Sequence, residues 1–153
     1  MAATSRFAIA VHAATALGYR AARGDDGWIG SPALAESIQT NPVVVRRVVT
    51  ALARAGLIES QPGRGGGSRL ARPAECITLA DVYRAVEEGE TPVLAYNPNP
   101  PNPRCEVSSS MRDALTPVFA GVDDAVVAAL EKTTLAELVA RVRSKPAPHD
   151  DHG

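Results

Sequence analysis

Apolar residues recur at intervals of three and four along most of the chain, which is the spacing that lines one face of an α-helix. Proline stands directly after the capping residues Ser31 and Asn41, where it suits a first helical turn. The pattern predicts six helices, which cover 5–23, start at the caps Ser31, Asn41, Thr78 and Thr134, and include a long helix from 106. The clearest stripe lies in the third helix, at Val45, Val48, Val49 and Leu52.

Two segments do not follow the helical period. Residues 57–61 and 68–72 predict two short strands, and PGRGGG between them predicts a hairpin with a glycine tip. The dipeptide Trp28-Ile29 predicts one more very short strand. The segment YNPNPPNPRC has four prolines, which exclude a helix and predict an extended connector. The expected fold class is therefore mainly α with a small β-hairpin.

Charge divides the chain into a basic and an acidic half, although the net charge of −1 is close to zero. Residues 1–73 contain nine arginines and four acidic residues, whereas residues 74–153 contain seven basic and thirteen acidic residues. This imbalance predicts an anionic partner for the first half. No run approaches the roughly 20 apolar residues that a membrane span needs, so we expect a cytoplasmic protein without membrane contact.

The segment LAESIQTNPVVVRRVVTALARAGLIES has the spacing of a helix-turn-helix. This motif needs a small residue where its helices cross and branched apolar anchors ten and thirteen residues later. Ala35, Val45 and Val48 meet these requirements. The tight turn leaves residues 41–47 facing outward, and a helix presented in this way enters the major groove of DNA with its amino-terminal end first.

The outward side chains of this helix leave alternatives open. Val43 and Val44 fit either methyl contacts with thymine or packing against the first helix. Arg46 and Arg47 fit contacts with guanine or phosphate, or else a solvated arginine face.

The glycine-rich loop raises the question of which phosphate it meets. A loop that holds a dinucleotide leads from a strand into a helix, whereas residues 63–67 lead from strand to strand, and no Lys-Ser or Lys-Thr follows. A hairpin directly after a recognition helix is instead the wing of a winged helix, here 57–72. We expect Arg64 to enter the minor groove and Arg69 and Arg72 to lie near the backbone; the alternative is an ordinary hairpin with a loose tip.

These arguments predict one set of DNA-binding residues on the two helices and the wing. The set consists of Ser31, Asn41, Pro42, Val43, Val44, Arg46, Arg47, Arg64, Gly65, Gly66 and Arg69.

Four segments, SRFAIAVHAATAL, ALAESIQTNPVVVRRVVTALARAGLIES, GRGGGSRLARP and ITLADVYRAVE, occur here in the order found in the Rrf family of bacterial winged-helix transcriptional regulators. The chain resembles this family from Ser5 to about Leu138, and the connector NPNPPNPRCEV resembles its YwnA-like branch. The resemblance implies a winged helix-turn-helix, a homodimer held by the long carboxy-terminal helix, and repression at a palindromic operator. The apolar seam of that helix, which we expect to form the dimer contact, contains Val107, Met111, Leu115, Val118, Phe119, Val122, Val126 and Leu130.

Cysteines separate this chain from the iron–sulfur regulator IscR and the nitric-oxide sensor NsrR of the same family, which ligate a cluster through three connector cysteines. Only Cys105 lies in the connector here, and one thiolate does not hold a cluster that takes about four protein ligands. The remaining alternative is a cluster that bridges the two Cys105 residues of a dimer. We therefore expect no cofactor. Cys105 is either a thiol switch, favoured by Arg104 and opposed by Glu106, or an inert connector residue.

The predicted organisation has four parts: a DNA-binding domain at 1–88, a proline-rich connector at 89–105, a helical dimerisation region at 106–144 and a disordered tail at 145–153. We find no catalytic triad, carboxylate pair or metal-ligand cluster in the sequence, so we expect neither an enzyme nor a metal site. The expected function is a dimeric regulator on double-stranded DNA, at the bacterial nucleoid, with an unidentified small-molecule or oxidant inducer. The alternatives are a winged-helix module that binds proteins instead of DNA, and a regulator controlled by a small ligand or partner protein.

Overall fold

The computed structural model describes residues 2–87 and 92–145 of the chain, with the side chains of the first helix from Ser5 onward. Its elements in chain order are α1 (Ala2–Ala22), α2 (Ser31–Ile38), α3 (Pro42–Arg54), β1 (Ile58–Gln61), β2 (Gly67–Leu70), a 3₁₀ turn (Ala74–Cys76), α4 (Leu79–Val86), α5 (Glu106–Leu130) and α6 (Leu135–Arg143). The predicted fold class, mainly α with a small β-hairpin and a long carboxy-terminal helix, is confirmed.

Capping contacts set the starts of the helices. The Asn41 side chain accepts a hydrogen bond of 2.8 Å from the Val43 N–H, and Pro42 is the first residue of α3, as predicted. In α2 the cap is Gly30 and Ser31 is the first helical residue. The prediction that Ser31 is the cap is wrong, because the Gly30 carbonyl already accepts the Leu34 N–H at 3.2 Å and the helix starts one residue earlier.

The later helices are capped as the sequence predicts. The Thr78 hydroxyl accepts from the Asp81 N–H at 3.1 Å, and the Asp81 carboxylate accepts from the Thr78 N–H at 2.9 Å, which completes a capping box. The Thr134 hydroxyl accepts from the Glu137 N–H at 3.2 Å at the start of α6.

A single apolar core joins α1, α2, α3, α4 and the hairpin. The predicted inward stripe of α3 is buried, with Val45 and Leu52 fully so. Members of the core from the other elements are Ala10, Ala14, Leu17, Leu34, Ala35, Leu57, Ile58, Ile77, Val82 and Val86. This packing fixes the angle between α2 and α3, on which the exposed face of α3 depends.

Helix α6 packs on this same core and not beside α5. Leu135 and Val139 are buried, and a Cβ on Gly18 of α1 would lie 3.2 Å from Val139 Cγ2. The Leu135 N–H also donates to the Ile77 carbonyl at 2.9 Å. The predicted dimerisation region 106–144 therefore divides in two, because α6 belongs to the amino-terminal core, whereas α5 contributes no buried residue to it and packs on α4.

The hairpin is a wing with a third strand-like partner. β1 and β2 are antiparallel, with Ile58 opposite Leu70 and Gln61 opposite Gly67. Ile29 pairs with Ser68 through two backbone hydrogen bonds of 3.0 and 2.8 Å as an isolated bridge, so only Ile29 of the very short strand predicted at Trp28-Ile29 is paired. At Gly67, where φ is +144°, a Cβ would lie 2.3 Å from the Ile29 carbonyl oxygen. Glycine is therefore required at this position by the pairing with Ile29.

The described part of the connector, 92–105, lies along α5. The Val93 N–H donates to Asp123 at 2.8 Å. The ring of Tyr96 in the connector stacks on Phe119 of α5, with the ring centroids 4.9 Å apart. The guanidinium of Arg112, also on α5, lies 4.5 Å from the centre of the Tyr96 ring. Residues 88–91 and 146–153 lie outside the described residues, so the predicted tail and the exact start of the connector stay predictions.

Candidate DNA-binding surface

Helix α3 has one buried and one exposed face. On the exposed face, 44% of Val43 is accessible, and Arg46, Arg47 and Thr50 are exposed as well. Val44 is half-buried. The first turn of the helix begins at Pro42, so Val43, Arg46 and Arg47 stand on the amino-terminal half of the helix, as entry into a major groove requires.

A groove of about 750 Å³ separates the exposed face of α3 from the first turns of α1. Its floor is apolar and its rim is basic, and no Asp or Glu is among the residues that line it. These residues are Ser5, Arg6, Ile9, Thr40, Val43, Val44, Arg46, Arg47, Val48, Thr50, Ala51, Arg54 and Val86. Val43 and Val44 both border this groove, with Val43 open to solvent and Val44 half-buried. The two alternatives considered for them, thymine contacts and packing against α1, stay predictions.

Sequence reasoning missed Arg6, Thr40, Thr50 and Arg54 as parts of this surface. A signal for Arg54 was present, because it follows Arg47 by seven residues and therefore shares its helical face. No local signal exists for Arg6, which reaches the surface only because α1 packs against α3.

Ion pairs distinguish the arginines of the basic half. Arg20 donates to Asp25 through Nε at 2.8 Å, and Arg23 hydrogen-bonds to the Tyr19 hydroxyl at 3.1 Å. Within the described parts of the chain, no side-chain hydrogen bond or ion pair is found for Arg6, Arg46, Arg47 or Arg64. The described residues thus leave Arg6, Arg46 and Arg47 beside the groove, and Arg64 at the wing tip, without an ion pair.

The carboxylate of Asp25 accepts hydrogen bonds in the turn between α1 and Ile29, the residue that pairs with the wing. The Arg20 guanidinium and, to a smaller extent, the Gly27 N–H hold the pKa of Asp25 below its usual value. This carboxylate consequently stays charged at neutral pH and neutralises Arg20 at the far end of α1, away from the groove.

The wing tip is a tight glycine turn that exposes Arg64. Gly63 and Gly65 have φ values of +91° and +78°, and a Cβ on Gly66 would lie 2.1 Å from the Gln61 carbonyl oxygen. The backbone at the tip can thus approach another surface closely. Arg64 and Gly65 are exposed, and Gly66 is half-buried.

Arg69 differs from Arg64 in its surroundings. Its Nε donates to Glu59 at 3.0 Å, and its guanidinium lies 4.3 Å from the centre of the Trp28 ring. Glu59 therefore already neutralises the charge of Arg69, which braces the base of the wing. Arg72 is exposed beyond β2.

Helix α5 has two apolar faces. Val107, Met111 and Val118 are 65%, 44% and 58% exposed. The other five predicted dimerisation residues are half-buried against the chain itself, and they are Leu115, Phe119, Val122, Val126 and Leu130. The structure therefore does not place all eight predicted residues on one accessible seam.

Cys105 is the residue that caps α5. Its Sγ accepts the Ser108 N–H at 3.5 Å, and the thiol is half-buried. The Ser108 hydroxyl in turn accepts the Asn102 N–H at 2.9 Å, so that Cys105 lies where the connector is fastened to the helix. Cys76 is exposed at the end of the 3₁₀ turn.

Residues 3–141 match the model of the Rrf2 family, described as an iron-dependent transcriptional regulator. YwnA of Bacillus subtilis (strain 168), a candidate HTH-type transcriptional regulator, is 35% identical over 135 residues, which are 88% of this chain and 95% of YwnA. A solved candidate transcriptional regulator from Lactobacillus plantarum is 25% identical with a TM-score of 0.73, and the match covers 91% of this chain and 90% of that one. The oxidized form of Staphylococcus aureus CymR is 24% identical with a TM-score of 0.62, over 94% and 96% of the two chains, which shows the fold alone.

The residues present do not fit the iron centre that this family description implies. The connector and the first turn of α5 supply one thiol, Cys105, whereas an iron–sulfur cluster takes about four protein ligands. Across residues 2–87 and 92–145, no three His, Cys, Asp or Glu side chains come together as a metal site. No step in the mechanism proposed below therefore runs through iron.

The described residues contain no helix that is both long and apolar enough to span a membrane.

The family match and the relative YwnA confirm the predicted resemblance. Both the family and YwnA are described as transcriptional regulators and not as enzymes. The winged helix-turn-helix, the family model over nearly the whole chain and the 35% identity to YwnA agree with one another. The chain therefore belongs to the Rrf2 family of DNA-binding transcriptional regulators.

Proposed function

We propose that this regulator is a homodimeric repressor that reads a palindromic operator through α3 and touches the adjacent minor groove with Arg64. The observation that carries the proposal is the set of exposed arginines without ion pairs, Arg46 and Arg47 on α3 and Arg64 at the wing tip. Arginine is the side chain best suited to guanine in the major groove and to a narrow minor groove.

The local geometry supports this assignment at both contact points. The cap formed by Asn41 uses its side-chain oxygen, which leaves the amide NH₂ available to a base or phosphate. Ser31 is the first residue of α2, and Pro42, Val43 and Val44 form the first turn of α3. Gly65 and Gly66 allow the tip to approach the duplex, while Arg69 is proposed to act mainly by holding the wing through Glu59 and Trp28.

Helix α5 supports dimer formation with a second copy of this chain. Its 25 residues extend about 37 Å, and none of its side chains is fully buried within the chain. The exposed Val107, Met111 and Val118 follow one another by four and seven residues, and the small residues Ala114, Gly121 and Ala125 continue the same repeat. This spacing of 3.5 residues is that of a helix pair with a close-packed seam.

Repression needs no surface beyond those described. A protein that occupies an operator excludes RNA polymerase from it, and a two-fold dimer places its recognition helices about one DNA turn, roughly 34 Å, apart. We propose the cytoplasm, on the chromosome, as its place of action.

Control by thiol chemistry at Cys105 is the finer part of the proposal. Hydrogen peroxide would transfer one oxygen to the thiolate, giving a sulfenic acid and releasing hydroxide. The Sγ that accepts the Ser108 N–H would then carry an added oxygen at the start of α5. Because the connector and α5 meet at this point, the change would alter the dimer and the distance between the recognition helices.

A second function has one observation in its favour. Val43 is 44% exposed beside the apolar floor of the groove, which is also the kind of surface on which a partner protein docks. A regulator that retained the fold but bound only proteins would show no preference among duplexes.

The test compares variants on a duplex that the parent protein selects from a random-sequence library. We expect Arg47→Ala and Arg64→Ala each to raise the Kd for that duplex by about tenfold or more, since one arginine–base contact contributes about 1–3 kcal/mol. Fluorescence anisotropy measures the Kd, and light scattering confirms an unchanged mass. Arg141→Ala on α6 is the matched control and should bind like the parent. Unchanged Kd values for both arginine variants would refute the assignment.

A further inference from the structure

We propose that Arg6, on the first turns of α1, is a third DNA contact that binds a backbone phosphate beside the major-groove segment read by α3. This inference rests on the proposed function, and it extends the DNA surface to an element outside the helix-turn-helix and the wing.

The groove between α1 and α3 places Arg6 next to the recognition helix. Arg6 and Ile9 differ by three residues and so share a face of α1, and both line the groove together with Arg47 and Ala51 of α3. Ile9 is half-buried while Arg6 is exposed. The apolar floor therefore anchors α1 against α3, and the guanidinium of Arg6 stands at the rim.

Within the described residues, the chain does not neutralise the charges of Arg6, Arg46 and Arg47 at this rim. No carboxylate lines the groove, and the described residues give Arg6 no ion pair. Arg20 and Arg23 on the other end of the same helix do have partners, Asp25 and Tyr19. Like charges that share a rim repel one another unless an anion lies between them, and the evenly spaced phosphates of a duplex supply such anions.

A phosphate is a better partner for Arg6 than a base. The major groove is about 12 Å wide and admits one helix, which α3 occupies in the proposed complex. Helix α1 would then remain above the strand that borders the groove, where the sugar–phosphate backbone is the accessible surface. Contacts of this kind fix the orientation of a protein on DNA and carry no sequence information.

The experiment measures Kd by anisotropy for the selected duplex and for a random duplex of equal length, each across a series of salt concentrations. We expect Arg6→Ala to weaken binding to both duplexes by the same factor, about 3- to 10-fold, and to reduce the slope of log Kd against log salt by about 1.8, because the proposed dimer loses one phosphate contact of about 0.9 in each of its two subunits. Arg6→Lys should keep most of the slope. Arg23→Ala, on the partnered end of the same helix, is the matched control and should behave like the parent.

The outcomes separate this inference from the proposed function. If the parent binds the selected duplex and Arg6→Ala has the Kd and salt slope of Arg23→Ala, the phosphate contact is refuted and the α3 and wing contacts stand. A loss confined to the selected duplex would also refute it, because it would indicate base reading. If the parent binds no duplex, the proposed function itself fails. Arg6→Gln, which removes the charge but keeps a long polar side chain, should weaken binding as Arg6→Ala does. A thermal melt of each variant checks that the loss of affinity does not come from unfolding.

Discussion

For a single arginine, the contacts that it already makes within the chain decide whether its guanidinium is available to bind a ligand. Arg64 and Arg69 belong to the same hairpin, but Arg69 contacts Glu59 and Trp28 whereas Arg64 projects from a glycine turn. The two arginines therefore have different proposed tasks. Arg69 stabilises the wing, and Arg64 is available to DNA.

Cys105 caps α5 and is also the proposed site of oxidation. We expect Cys105→Ser to fold and bind the selected duplex like the parent, because a serine hydroxyl can accept the Ser108 N–H in place of the sulfur. The parent should lose DNA affinity after treatment with hydrogen peroxide, and Cys105→Ser should not. The measurement is the Kd before and after oxidation.

Cys76→Ser is the matched control for this thiol and should respond to oxidant as the parent does, since Cys76 lies away from the connector at the end of the 3₁₀ turn. An identical oxidant response in Cys105→Ser and the parent would show that Cys105 is not the switch.

The sequence predicts a DNA contact for both Arg64 and Arg69, and it does not show that Arg69 is already paired within the chain. Their difference comes from Trp28, which is far away in the chain and joins the wing only when Ile29 pairs with Ser68. Asn41 was predictable as a cap because its contact with Val43 is local, whereas Arg6 reaches the groove only through the packing of α1 on α3.

At the scale of the element, α5 uses its apolar residues for two different purposes. Phe119 stacks on Tyr96 of the connector, and Leu115, Val122, Val126 and Leu130 are half-buried with it. Val107, Met111 and Val118 remain exposed. One helix can thus hold its own connector on one face and, as proposed, a second copy of the chain on the other.

We expect the double variant Met111→Asp and Val118→Asp to reduce the dimer to a monomer at micromolar concentration, since two charges would be placed in an apolar seam. Light scattering gives the mass, and circular dichroism should show an unchanged helix content because both residues are exposed in the single chain. Val142→Asp, at a residue of α6 that is 51% exposed, is the matched control and should remain a dimer. A double variant with the mass of a dimer would contradict the proposed seam.

The apolar repeat of α5 was predictable, but its division into two faces was not. A helix of this length with apolar residues at intervals of three and four shows only that they lie near one another around the axis. Which of them the chain itself covers depends on distant segments: Tyr96 of the connector stacks on Phe119, and α4 packs on α5. The sequence places α6 in the dimerisation region because its apolar stripe follows that of α5 along the chain. Only the folded structure shows that Leu135 and Val139 of this stripe complete the core beside α1.

At the scale of the whole molecule, the proposed DNA contacts lie on one rigid amino-terminal body. The core that holds α1, α2, α3 and the hairpin fixes the exposed face of α3 and the position of Arg64 relative to it. Helix α5 carries the proposed pairing surface away from this body. Repeating the body by a two-fold axis would give two sets of contacts, and an operator with matching symmetry is the expected target.

Selection of duplexes from a random-sequence library by the purified parent protein tests this account most directly. We expect enrichment of an inverted repeat whose half-sites lie about one helical turn, roughly 10 base pairs, apart from centre to centre, with a Kd that rises steeply as salt increases. A library that shows no enriched sequence after repeated rounds, or one enriched without two-fold symmetry, would contradict it.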